Sequence, residues 1–87
     1  MESRISVISI IIEDISIFSK VNELLHDYAQ YVVGRMGIPY KERGVSIICV
    51  VLDAPADVTS SLSGKLGMLN GVSTKTITAK NKVGKEG

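Results

Sequence analysis

Tryptophan is absent, aromatic residues supply only 5% of the 87 positions, and there is one cysteine, one histidine and two prolines. Each shortage excludes something. A lone Cys49 rules out an intramolecular disulfide framework and suits a reducing compartment, so a cytoplasmic location is expected. His26 and Cys49 fall short of the three or four protein ligands that zinc takes, unless several chains pool theirs. No metal site is therefore expected within one chain, and no cofactor is identifiable. The formal charge is only +1, and the basic residues scatter apart from Lys80, Lys82 and Lys85. That is not the basic face of a nucleic-acid binder, so direct nucleic-acid binding is not expected. Long apolar runs are missing too, for nothing approaches the ~18 residues of a membrane helix. The stretch Ile5 to Ile12 after Arg4 is short, contains Ser6 and Ser9, and runs into Glu13-Asp14 without a small-residue cleavage site. Neither a signal peptide nor a membrane anchor is expected, and the protein should be soluble.

What is present is aliphatic. Hydrophobic residues make up 45% of the chain, so Ile, Val and Leu must build the core, which favours a sheet. A single domain over residues 1–79 is expected, followed by a frayed polar tail over 80–87. Residues 4–12 are β-branched almost throughout and predict a strand. Asp14 or Ser16 can cap a following helix, where Phe18, Val21, Leu24, Leu25 and Tyr28 form one apolar stripe ending near Gln30. Tyr31 to Met36 predict a short second strand. Gly37 to Gly44, with Pro39, read as a loop leading into a third strand over Val45 to Leu52. Pro55 suits the first turn of a second helix, striped by Val58, Leu62, Leu66 and Leu69. Gly64 within it is unfavourable by ~1 kcal/mol relative to Ala, and close packing of helix on sheet would account for it. Asn70-Gly71 turns the chain into a last strand over Val72 to Ala79.

The order βαββαβ, with right-handed crossovers, predicts an α+β, ferredoxin-like (ACT-like) fold. Its four-stranded antiparallel sheet has order 4-1-3-2, with two helices on one face. Strands one and three then lie in the middle. Yet both are apolar on both sides: Ile5, Val7 and Ile11 against Ile8, Ile10 and Ile12, then Val45, Ile47, Cys49 and Val51 against Ile48, Val50 and Leu52. A half-solvated antiparallel sheet would alternate apolar with polar. Two helices cover one face only, so the other is expected to be buried by self-association, as a dimer or tetramer, or by a partner protein.

Catalytic constellations are missing. There is no glycine-rich nucleotide fingerprint, no P-loop and no nucleophile elbow, so an enzyme is not expected. The middle strands carry no aromatics for base stacking, which argues against an RNA-binding domain of this topology. Glu13, Asp14 and Asp53 lie at strand ends, where acids at helix starts are favoured by the macrodipole. In the segment Gly34 to Gly44, glycines and a proline frame Arg35, Tyr40 and Arg43. That set could bind an anionic ligand or fit a partner's edge. Equally, it could be a structured hairpin with solvated charges.

The run Ser19-Lys20-Val21-Asn22-Glu23-Leu24-Leu25, then Gly34-Arg35-Met36-Gly37-Ile38-Pro39-Tyr40, then Gly64-Lys65-Leu66-Gly67 and Asn70-Gly71-Val72 resembles the iron-only hydrogenase system regulators. The resemblance spans roughly residues 4–79, and the Gly34 to Tyr40 stretch is its most specific part. It implies a small ACT-like domain, similar to the effector domain of nickel-responsive repressors, in a bacterial cytoplasm and linked to hydrogenase maturation or regulation. It further implies a small-molecule effector bound at a subunit interface near the first strand–helix loop, here Glu13 to Ser16. The repressors' metal-binding histidines and their DNA-binding segment have no counterpart here. Arg35, Tyr40, Arg43, Glu13 and Asp14 are thus the candidate ligand-binding residues of a regulatory module. A ligand-free adaptor for hydrogenase maturation and a metal-binding oligomer are the alternatives.

Overall fold

The computed structural model describes residues 2–80. Of the tail expected over 80–87, all but Lys80 lies outside the described residues. Strand β1 (Arg4–Ile12) leads through a short 3-10 turn (Ile15–Ile17) into helix α1 (Phe18–Asp27). A second such turn (Ala29–Tyr31) enters β2 (Val32–Tyr40), and a third (Lys41–Arg43) joins β2 to β3 (Val45–Ala54). Helix α2 (Ala56–Gly67) and β4 (Val72–Thr78) complete the chain. The strands form one sheet of order β2-β3-β1-β4, antiparallel at every pairing. This is the ferredoxin-like arrangement expected from the sequence.

Both helices lie on the same side of the sheet. Ile8, Ile10 and Ile12 of β1 and Ile48, Val50 and Leu52 of β3 pack with Val21 and Leu25 of α1 and Leu62 and Leu66 of α2 in one buried cluster. Each such side chain contributes roughly 1.5–3 kcal/mol by leaving water, which makes this layer the core. The side left ambiguous by the sequence is thereby settled: the even-numbered residues of the two central strands face the helices. Tyr28 ties the helices together at their outer rim. Its hydroxyl lies 2.9 Å from Ser61 Oγ, and the Lys65 ammonium stands 5.3 Å from its ring centroid. The Ser61 contact, then Lys65, holds the Tyr28 phenol below its ordinary pKa.

Three local expectations are corrected. First, Gly37 to Tyr40 are not loop: β2 runs on to Tyr40 and pairs with β3 as far as Val45. Pro39 and two glycines are tolerated because β2 is an edge strand, where a missing N–H breaks no inner ladder. Second, α1 stops at Asp27, and the chain to Tyr31 continues as a tighter turn. Third, close packing does not explain Gly64. A Cβ built there meets nothing within 4 Å, whereas one on Gly67 would lie 3.9 Å from Thr74 Oγ1.

Candidate functional site

Two features of the molecule carry the functional argument: the bare side of the sheet, and the end where the hairpin and the first strand–helix loop meet. On the bare side, Ile5, Val7 and Ile11 of β1 stand beside Val45, Ile47, Cys49 and Val51 of β3. The register places Met36, Ile38 and Tyr40 of β2 beyond them and Ile77 of β4 on the far flank. Ile10 and Ile12 are fully buried, yet Ile11 between them is 42% exposed. Ile77 reaches 70%. The alternation that normally separates apolar from polar here separates covered apolar from uncovered apolar. Lys75 and Asp53 are the charged side chains placed within this face. The Asp53 Oδ1 is buried and has no hydrogen-bond partner.

The five candidate ligand residues do not form one cluster. Arg35 pairs with the buried Val50 and so lies on the helix side. There its Nη2 donates to Asn22 Oδ1 of α1 at 2.8 Å. Tyr40 comes five residues later, on the opposite face and about 17 Å further along the strand. Arg43 closes the hairpin turn, whose next residue Gly44 has φ +66°. The other two candidates reach the same end of the sheet, because Ile12 pairs with Ser46 while Tyr40 pairs with Val45. Tyr40, Arg43, Glu13 and Asp14 therefore share a sheet end, and Arg35 is separate.

At that end the acids have local work. Asp14 Oδ1 accepts from the Ser16 N–H at 3.0 Å and from the Ser16 hydroxyl at 2.7 Å. The hydroxyl first, then the N–H, holds its carboxyl below the usual carboxylate range. The Glu13 N–H donates to the Gly71 carbonyl at 2.7 Å. Gly71 has φ +78°, and a Cβ there would lie 2.6 Å from Asp14 Cβ. The β1–α1 loop is thus pressed against the α2–β4 turn, and Gly71 is what lets them approach.

His26 lies on α1, on the helix side, and Cys49 on the bare side, so one chain cannot join them at one metal ion. Among the described residues no group of three or more His, Cys, Asp or Glu is placed to hold one. His26 lines a groove of about 330 Å³ together with Asn22 and Arg35. It also lines a wider one of about 590 Å³ along α1 with Phe18 and Glu23. Neither contains the other four candidates. A further groove of about 350 Å³, not foreseen above, lies between α2 and β4, lined by Thr59, Ser60, Ser63, Gly64, Thr76 and Thr78 beside Ala56. The signal available was the row of hydroxyls in both elements. No helix among the described residues is long and apolar enough to cross a membrane.

Comparison with known proteins places this architecture. No curated protein matches the chain. Among solved structures, the uncharacterized protein TM1266 from Thermotoga maritima is similar over 91% of this chain and 100% of its own, with TM-score 0.87 and 36% identity. A formyltetrahydrofolate deformylase from Pseudomonas putida KT2440 matches 84% of this chain with 28% of its own length, at TM-score 0.61 and 14% identity. That second likeness shows the fold alone. The TM1266-like profile, described as "Iron-only hydrogenase system regulator, putative", matches residues 4–76. With its paired hairpin, its helix layer and its bare apolar sheet, the chain belongs to the TM1266-like family.

Proposed function

We propose that this chain is a non-catalytic, cytoplasmic regulatory module of an iron-only hydrogenase system. It assembles with copies of itself through the bare side of its sheet and responds to a small effector at the margin of that interface. The family description supports the regulatory role. The observation that carries the assembly is the apolar face on four strands described above. Ile5, Ile11, Met36, Ile38, Tyr40 and Ile77 are each more than a third exposed on it, a contiguous apolar patch of the kind that marks an interaction surface. Two sheets stack about 10 Å apart with interdigitated side chains, and the Ile, Val and Met side chains here suit that spacing.

The effector reading rests on the sheet end where Tyr40, Arg43, Glu13 and Asp14 gather. Tyr40 stands on the interface side, so a ligand held there would touch both copies. Such a ligand can shift assembly only through different affinities for the assembled and separate forms. Light scattering coupled to size exclusion, on untagged protein across a concentration range, tests the assembly directly. A dimer or tetramer is expected. A monomer at every concentration would overturn self-association, and would leave the adaptor reading, in which a maturation protein covers the same face.

A further inference from the structure

Arg35 reaches the helix side of the sheet only because β2 carries an extra residue. Val32 pairs with Leu52, so an unbroken register would set Arg35 opposite Cys49, on the bare side. The irregularity between Val32 and Gly34 moves it opposite Val50 instead, as a β-bulge re-aims the side chains beyond it. The same shift turns Met36, Ile38 and Tyr40 to the bare side, so one bulge sets both faces of the edge strand.

On the helix side the guanidinium is held without being neutralised. Its Nη2 donates to Asn22 Oδ1 at 2.8 Å, and among the described residues Arg35 makes no ion pair. The rest of its planar fork of donors remains for an acceptor. Asn22, accepting through its oxygen, keeps its amide N–H groups to donate. His26 follows Asn22 by four residues and so stands on the same face of α1, with a ring N–H in either protonation state. Arg35, Asn22 and His26 line one groove of about 330 Å³, at the lower end of the range for small-molecule sites. The rest of its lining is apolar: Leu25, Ala29 and Val32. Leu25 is buried in the core cluster and Val32 packs against it, so this wall is firm. The nearby acids Glu23 and Asp27 line the adjoining groove with Asn22 and His26, and not this one.

We infer that the α1–β2 groove binds a small aliphatic carboxylate. The carboxylate accepts from the Arg35 guanidinium, flanked by the Asn22 amide and the His26 ring, and the hydrocarbon lies on Leu25, Ala29 and Val32. A guanidinium fork matches the two oxygens of a carboxylate, and the apolar wall offers nothing to a phosphate. The site is on the opposite side of the sheet from Tyr40, apart from the sheet-end residues, and it stands whether or not the copies assemble.

Amide chemical shifts in labelled protein test this with acetate, butyrate and inorganic phosphate, against chloride at matched ionic strength. Saturable shifts at Asn22, His26, Ala29 and Arg35 are expected with butyrate and not with chloride. Butyrate should bind more tightly than acetate, by up to about fourfold for each methylene buried. Arg35→Gln should weaken butyrate roughly tenfold or more. Asn22→Asp supplies Arg35 with a carboxylate from within the chain, so it should weaken butyrate at least as much while leaving Tm unchanged or higher. A residue that merely tied β2 to α1 would not produce that pair of effects. Absent or non-saturating shifts, or shifts confined to Glu13, Asp14, Tyr40 and Arg43, would overturn the site. Saturable binding of phosphate in preference to butyrate would overturn its chemistry, and so would acetate as tight as butyrate. Unchanged butyrate affinity in both variants would overturn the role of Arg35.

Discussion

The two sides of this sheet are built from nearly the same residues and have opposite fates. Under the helices, Ile10, Ile12, Ile48 and Val50 are sealed. On the bare side, Ile11, Ile38 and Ile77 are left open. The difference is therefore one of coverage and not of composition. A substitution on the first side tests folding, and the same chemistry on the second tests assembly. Leu62→Ala, under the helices, should cost about 2–5 kcal/mol. At roughly 4–8 °C per kcal/mol for a domain of this size, that is a large fall in Tm at any protein concentration. A loss below ~1 kcal/mol would mean that the helix layer is loosely packed, and the contrast between the sides would fail.

Gly71→Ala tests the seam where the two strand–helix connections meet. The left-handed backbone alone costs an L-residue roughly 1–2 kcal/mol. The close approach of Asp14 must add to it, so a total near 2–3 kcal/mol is expected by denaturant titration. An Ala variant as stable as the parent would show that the loop can withdraw freely, and Glu13 and Asp14 would then be poorly placed to hold any ligand.

Ile38→Lys sharpens the contrast from the open side. Ile38 lies on the edge strand and is about half exposed, so a lysine there is tolerated by the separate chain and opposes a face-to-face copy. Far-UV circular dichroism should be unchanged while light scattering moves to the monomer. Thiol labelling gives a second readout, because Cys49 lies near the middle of the same face. The variant should expose it to maleimide faster than the parent. Equal labelling and equal mass would remove the bare side from the assembly.

Much of this was legible beforehand, and the exceptions have physical causes. Strong β-branched runs and two apolar stripes at helical spacing marked six elements and their order. Uniform apolarity also predicts that two helices leave one apolar side of the sheet bare. It could not say which side, because Ser6 interrupts one set of β1 residues and Ser9 the other. Pro39 and Gly37 read as loop because nothing local distinguishes an edge strand, which accepts them, from an inner one, which does not. The candidate site was legible only as residue types. Arg35 and Tyr40 differ by an odd number of strand positions, so once β2 is seen to be continuous, pleating alone sends them to opposite faces. The α2–β4 groove is not legible in the sequence because its hydroxyls are ordinary one at a time, and a mid-helix glycine such as Gly64 reads equally as a packing position.

The smallest expected effect concerns Asp14, at the sheet end where the two sides come together. Ser16 holds its carboxyl below the ordinary range, so the folded pKa lies under the unfolded one. Stability from such a group is fully present above the unfolded pKa and is lost as pH falls through the folded one. The window is thus the acid side of ~pH 4. Asp14 is fully exposed, so solvent screens the interaction and the contribution is slight. Asp14→Asn keeps a side-chain oxygen that can accept from Ser16 but cannot titrate. Its Tm, followed from pH 6 to pH 2, should fall slightly less steeply below pH 4 than the parent's. Parallel curves would assign the rigidity of that loop to Gly71 and the Glu13 backbone bond. Effector binding at this end would then depend on a pre-set backbone and not on the charge of Asp14.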